Sequence, residues 1–100
     1  MNKRYKITRL NAEQLPTITL EETMDVFQSQ SDFSYSEEFG ASQDGVQMKI
    51  KGHFFMWHIE QVQIPFRFFD GEIYVAISHP AIFERAEHIA ALFQAQLIEG

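Results

Sequence analysis

The chain has 100 residues, which suits one folded domain and is too short for two, so we expect a single domain over 1–100. Its 45% hydrophobic and 22% charged residues exclude wholesale disorder, and its net charge of −6 disfavours binding to nucleic acid. No cysteine and no long apolar run are present, which excludes disulfides, thiolate metal sites, a secretory signal and a membrane span. We therefore expect a cytoplasmic protein, of bacterial source.

The first two predicted elements are a strand and a short helix. The alternation in "KRYKITRL" predicts a strand at residues 3–10. In "TITLEETMDVFQSQ", Thr19 and Glu22 have the spacing of a capping box, and Leu20, Met24 and Phe27 fall on one stripe. This pattern predicts a helix that begins just after Thr19.

The middle of the chain has the two-residue period of an antiparallel meander. Five strands are predicted, separated by turns within "GASQDG" and at Lys51-Gly52, Gln61-Val62 and Asp70-Gly71. These turns place nearly all the large apolar residues on one face, because a slip of one residue would divide them between both faces. The strands are "DFSYSEEF", "VQMKI", "HFFMWHIE", "VQIPFRFF" and "EIYVAIS", and the predicted core face includes Phe39, Val46, Met48, Phe55, Trp57, Phe66 and Val75.

A second, longer helix is predicted in "SHPAIFERAEHIAALFQAQLIEG". Pro80 suits its first turn, and an apolar stripe extends from Ile82 to Leu97. The predicted fold class is α+β. It has an antiparallel meander sheet of about five strands, or six with the N-terminal strand, and both helices pack on one face.

The same register predicts an opposite face with a polar rim and an apolar centre, where a solvated sheet face should be polar. Three interpretations compete. The face is a surface for self-association or a partner, the floor of a small-ligand site, or a set of scattered surface apolar residues covered by a terminal segment. Its predicted members are Lys49, Phe54, Met56, His58, Glu60, Pro65, Arg67, Phe69, Tyr74 and Ala76.

No catalytic or metal-binding pattern stands out. His53 and His58 are five apart, so they point to opposite faces of a strand and cannot chelate one ion. His58 and Glu60 point the same way but lie roughly 7 Å apart along the strand, too far for a direct hydrogen bond. We therefore expect no catalytic residues, no metal and no cofactor, and an enzyme is the less favoured class.

The function expected from the sequence is non-catalytic protein binding, in an accessory role such as an inhibitor, an immunity protein or a chaperone-like partner. The expected partner is a second copy, giving a homodimer, or another protein, with no role for nucleic acid or membrane. The alternative is a small-molecule-binding protein or small enzyme that uses His58, Glu60, Arg67 and Tyr74. The candidate binding residues are Phe54, Met56, His58, Glu60, Arg67 and Tyr74.

Overall fold

The computed structural model describes residues 3–100, without the side chains of 41–43. Met1 and Asn2, which the single-domain prediction includes, lie outside the described residues. Within residues 3–100, six strands form one antiparallel sheet in the order β2-β3-β4-β5-β1-β6, and two helices accompany it. The elements are β1 Lys3–Thr8, α1 Leu20–Gln28, β2 Phe33–Gln43, β3 Val46–Ile59, β4 Val62–Phe69, β5 Glu72–Ile77, α2 Pro80–Leu92 and β6 Gln96–Glu99. The predicted α+β class is confirmed.

The β4–β5 hairpin has the predicted register. Phe66 pairs with Val75 and Phe68 with Ile73 around the turn at Asp70-Gly71. The preceding turn lies at Glu60-Gln61 instead of Gln61-Val62, so Trp57 pairs with Ile64 rather than Phe66. The offset is two residues, and an even offset leaves every side chain on its predicted face.

The predicted turn at Lys51-Gly52 is wrong, because β3 is one continuous strand of 14 residues. Its first half pairs only with β2, around a turn at Asp44-Gly45 where both residues have positive φ. Val46 and Met48 are consequently exposed instead of in the core, at 59% and 52%. The meander thus has four strands, β2 to β5, and we call the projecting two-stranded part, residues 38–51, the arm.

Helix α1 begins where the capping pattern predicts. The Thr19 hydroxyl accepts a hydrogen bond from the Glu22 amide at 3.1 Å. The Glu22 carboxylate does not return to Thr19 but accepts two hydrogen bonds from Arg9, at 2.7 and 2.8 Å. This bidentate pair ties α1 to the segment that follows β1.

Helix α2 begins at Pro80 as predicted but ends at Leu92, so the extension of its stripe to Leu97 is wrong. Gln94 has a φ of 52°, and the Ala95 amide bonds back to the Ala90 carbonyl at 2.9 Å, a left-handed helix stop. The chain then turns into β6, which pairs with β1. Neither helix described here has the length and apolar character needed to cross a membrane.

Both helices pack on the same face of the sheet, as predicted. Their buried residues Phe27, Ile82, Ala86 and Ile89, together with Phe93 just after α2, form one cluster with alternate residues of the strands. The predicted core residues Phe55, Trp57, Phe66 and Val75 all belong to this cluster and are at most 7% exposed. The predicted core face is therefore correct for β4, β5 and the second half of β3.

One carboxylate joins three elements at the edge of this core. Asp32, just before β2, accepts a hydrogen bond from the Trp57 indole at 2.7 Å and one from Arg85 of α2 at 2.9 Å. The backbone carbonyl of Asp32 also accepts a hydrogen bond from the His58 amide at 2.8 Å. Burial raises the pKa of Asp32, but the hydrogen bonds from Arg85 and Trp57 outweigh it and hold the pKa below its ordinary value.

Candidate functional site: the open face of the sheet

The sheet face that neither described helix covers is called the open face here. It is formed by the strand residues that alternate with the core positions, since successive side chains in a strand point to opposite faces. Strand β1 lies beside β5, so Arg4 is opposite Ala76 and Lys6 is opposite Tyr74 on this face. The open face carries Arg4, Lys6, Phe54, Met56, His58, Pro65, Arg67, Phe69, Glu72, Tyr74 and Ala76.

A groove of about 300 Å³ lies near the centre of this face. Its floor includes Phe54, whose ring stacks on Phe39 of the arm with centroids 5.6 Å apart. Cationic side chains lie around the aromatic rings on the side of β1 and β4. The lining residues that matter for binding are Lys3, Arg4, Phe39, Phe54, Arg67 and Tyr74.

Arg67 is held between two aromatic rings. Its guanidinium carbon lies 5.5 Å from the Phe54 centroid and 5.1 Å from the Phe69 centroid, within cation–π range. Its Nε is buried without a hydrogen-bond partner among the described residues. Gly52 lies directly beside it, since a Cβ there would be 3.3 Å from Nε. The rings and Gly52 fix the guanidinium plane at the groove.

A second cation–aromatic pair is formed by Arg4, whose guanidinium carbon is 5.2 Å from the Tyr74 centroid. The Tyr74 hydroxyl donates to Glu72 at 3.0 Å, and Lys6 forms an ion pair with the same carboxylate at 3.2 Å. Burial and the bond to Glu72 raise the pKa of Tyr74. Burial also raises the pKa of Glu72, but hydrogen bonds and the charge of Lys6 outweigh it, so that pKa is lowered.

The charge of the groove is opposite to that of the whole chain. Glu72 neutralises Lys6, whereas none of the ion pairs found within residues 3–100 includes Lys3, Arg4 or Arg67. A protein with a net charge of −6 therefore has a local cluster of uncompensated positive charge over aromatic rings. Such a cluster attracts an anionic group and offers apolar area beside it.

The structure brings together only some of the predicted site residues. Phe54, Arg67 and Tyr74 line the groove. His58 lies four residues from Phe54 along β3, roughly 13 Å away by the rise of a strand, and bonds to Ser34 at 2.6 Å. Glu60 lies farther still, in the β3–β4 turn with a φ of 53°.

The expected exposure of the centre of the open face is wrong for two residues. Phe54 is only 4% exposed and Met56 only 8%. Phe39 and Arg67 cover Phe54, while Met56 lies between Ser34 and Pro65 in the neighbouring strands. Phe69 is a large apolar side chain of this face that is exposed, at 54%. The predicted placement of Lys49 here also fails, since it is opposite Gly40 and contacts Glu38 in the arm.

Three lining residues of the groove are not among the candidates that the sequence predicts: Lys3, Arg4 and Phe39. The basic residues of β1 were visible, but nothing in the sequence showed that β1 would insert beside β5. The sequence pattern predicts Phe39 on the core face opposite Val46, whereas Phe39 pairs with Ile50 after a register shift between Ser36 and Glu38. That irregularity turns Phe39 toward Phe54.

Another cleft, of about 350 Å³, lies between the end of α1 and β2. Its walls include the core residues Phe27 and Phe55, and Tyr35 at its border bonds to His53 at 2.7 Å. No charged side chain is among its described lining residues, so it has fewer means of orienting a ligand than the groove. The groove is therefore the better candidate site.

Neither site contains a recognisable metal centre. Within the described part of the chain, histidine and carboxylate side chains nowhere gather in groups of three or more that could hold an ion. Comparison of this chain with protein-family models, with curated proteins and with solved structures gave no match. The open face must therefore be interpreted from its own chemistry.

Proposed function

We propose that this is a non-catalytic binding protein whose open face takes an acidic, partly apolar segment of a partner protein. The observation that carries the proposal is the contrast in charge: Arg4 and Arg67 lie over aromatic rings in a groove of an otherwise acidic chain. Interfaces are enriched in arginine and aromatic residues, which give both area and specificity. We place this role in the cytoplasm, with which a chain free of cysteine is compatible.

The open face suits an acidic partner better than a second copy of itself. If two open faces met, Arg4 and Arg67 of each copy would approach the same cations of the other, and like charges across an interface are unfavourable. Phe54 and Met56, whose expected exposure favoured such a dimer, are already buried within one chain. Acidic side chains of a partner would instead form ion pairs with the uncompensated guanidinium groups of Arg4 and Arg67.

The titratable groups beside the groove support binding more than proton transfer. Glu72 and Tyr74 bond to each other, and their pKa values move in opposite directions, both away from neutrality. An efficient general acid or base near pH 7 needs a pKa close to that value. Both groups instead stabilise the positions of Lys6 and the Tyr74 ring at the groove.

A second candidate function is binding of a small carboxylate with an apolar body. The groove volume of about 300 Å³ is at the lower end for small-molecule sites. The half-buried rings of Phe39 and Tyr74 would contact the apolar part and Arg67 the carboxylate. This alternative uses the same side chains but needs no extended surface.

Two labelled ten-residue peptides distinguish these cases, one alternating glutamate with phenylalanine or leucine, and one with lysine in place of glutamate. Fluorescence anisotropy should show binding of the acidic peptide alone, weakening as salt rises because exposed charges are screened. Arg67→Met should weaken that binding roughly tenfold or more, since it removes a charge-assisted contact and keeps the apolar stem.

Lys49→Met is the matched control, because Lys49 is a highly exposed cation outside the groove. It should leave the affinity within about twofold, well below the loss of a desolvated contact. Equal binding of both peptides, or equal effects of the two variants, would contradict the proposal. If decanoate binds in an Arg67-dependent way and the acidic peptide does not, the small-ligand function replaces it.

A further inference from the structure

We propose that the first half of β3 pairs with the same segment of a second copy, so that two chains join through their arms. The segment in question is Val46–Gly52, which we call the free edge. Strand β4 pairs with β3 only from His53 to Ile59. On that side the free edge faces no other strand among residues 3–100. Its outward backbone groups form an open template for another strand.

The free edge also carries exposed apolar side chains on one face. Val46, Met48 and Ile50 alternate along the strand and are 59%, 52% and 37% exposed. A two-stranded ribbon is only marginally stable in water, and such a ribbon with apolar side chains gains stability from additional strands. The arm therefore has both the hydrogen-bonding groups and the apolar area that a further strand would use.

The free edge is complementary to itself in one antiparallel register. From the turn residue Asp44 to Gly52, the middle residue is Met48. Pairing two copies about Met48 sets Val46 opposite Ile50 of the other chain and Gln47 opposite Lys49. At the ends, Lys51 comes beside the turn that contains Asp44, an opposite charge. Apolar side chains meet apolar ones, and no like charges face each other directly.

The lengths of the strands fit this arrangement. Strand β4 ends at Phe69, one residue beyond its last pair with β3, His53 with Phe68. The turn of each arm would thus reach the end of β4 in the other copy, near Phe69, which is 54% exposed. The two sheets would join edge to edge, with the two-fold axis at Met48.

The other edges of the sheet are protected against such pairing. Strand β2 carries adjacent Glu37 and Glu38, and its pairing with β3 shifts in register at that point. Its own self-pairing about Glu38 would set two carboxylates opposite each other. At the far edge, β6 has only four residues. Charges, irregular register and short length are the usual means of blocking an edge. Val46–Gly52 carries Lys49 and Lys51, but in the register about Met48 neither lies directly opposite a charge of the same sign.

The first test is sedimentation velocity from about 1 to 200 µM, since a short strand ladder gives a small interface with an expected micromolar dissociation constant. The wild type should form a dimer across this range. Met48→Lys would place like charges on the two-fold axis and should raise the dissociation constant roughly tenfold or more. Leu92→Lys is the matched control, because Leu92 is 51% exposed on α2 and should leave the dimer unchanged.

The second test determines the register by disulfide formation. The chain has no cysteine, so Met48→Cys introduces the only thiol. Directly opposite residues in an antiparallel pair have Cα atoms about 4.5–5.5 Å apart, within disulfide range. Gln47→Cys is the control, since its two copies would be diagonal and on the other face. Met48→Cys should cross-link at least about ten times faster in dilute oxidant.

A wild type that remains monomeric to 200 µM would overturn the proposal. A dimer that Met48→Lys and Leu92→Lys affect equally would also overturn it. Equal cross-linking at positions 47 and 48, or faster cross-linking at 47, would refute the register about Met48. The open-face peptide assay is kept separate by running it below the dimer dissociation constant. Its test residue, Arg67, does not belong to the free edge, and its control residue, Lys49, which does, then has no second copy beside it.

Discussion

Replacement of Trp57 by alanine should destabilise the fold by about 4 kcal/mol. Trp57 is 7% exposed and belongs to the core cluster. A tryptophan side chain buries about 200 Å², worth about 5 kcal/mol at 25 cal/mol per Å². A compact unfolded chain already buries part of that area, which lowers the figure by about a quarter. The lost hydrogen bond to Asp32 adds about 0.5–1 kcal/mol, because this carboxylate is 38% exposed.

Trp57→Phe separates the hydrogen bond from the apolar contact. It keeps an aromatic ring in the core and removes the indole N–H, so we expect a loss of about 1–2 kcal/mol. The double variant with Asp32→Ala measures the coupling between the two side chains, expected at about 0.5–1 kcal/mol. A coupling near zero would mean that the 2.7 Å contact does not contribute to stability.

Urea unfolding followed by circular dichroism is the appropriate assay. Trp57 is the single tryptophan, so its fluorescence cannot be compared across these variants. A loss below about 1.5 kcal/mol for Trp57→Ala would refute the reasoning, since fully buried aromatic residues lose about twice that or more. It would mean that Trp57 is much less buried in solution.

Three further outcomes concern stability and one concerns binding. The pKa values of Asp32 and Glu72 are lowered in the fold, so the stability they add is present above their unfolded values near 4 and is lost as pH falls through the folded values. Urea midpoints should therefore drop over that acidic range, and midpoints that hold constant there would contradict this. Gly71→Ala should lower the free energy of unfolding by about 2–3 kcal/mol, because Gly71 has a φ of +80° and the new Cβ would lie 2.9 Å from Pro16. Gly45 has a similar φ of +78° but open space around it, so Gly45→Ala should cost only about 1 kcal/mol. Equal losses for the two variants would contradict this. Elemental analysis of untagged protein should find no stoichiometric metal, and EDTA should leave the melting temperature unchanged; a shift on chelation would disprove it. A labelled DNA duplex should show no mobility shift at physiological salt, since 14 acidic residues outnumber 8 basic ones, and a persistent shift would reverse that conclusion.

The core face could be predicted because it depends on residues that are close together in the chain. Alternation in β3, β4 and β5 and the Asp70-Gly71 turn were enough to place Phe55, Trp57 and Phe66 together. The exact position of the turn before β4 was harder to predict, since Glu60 adopts a positive φ without being the glycine or asparagine that marks such turns. The error left the faces unchanged because the offset was even.

The parts that failed depend on neighbours distant in the chain. Gly52 resembles a turn residue, but it lies within a strand where Phe54 and Arg67 leave little room for a side chain. The helix stops at Gln94, which has a positive φ without being a glycine, so the sequence pattern extends the helix into the residues that form β6. For the candidate site, Arg67 and Tyr74 followed from parity, whereas Arg4 required the position of β1 in the sheet.

The position of β1 also determines when the groove can form. Lys3 and Arg4 pair with Ile77 and Ala76, more than 70 residues later, and β1 holds β6 on its other side. Such long-range pairing raises the contact order of the chain and slows folding, because a large loop must close before any of these contacts forms. A ribosome makes β1 first and β5 much later, so we expect the meander to form before β1 joins it. The binding groove, with two of its three lining cations on β1, would then be among the last features of the fold to be completed.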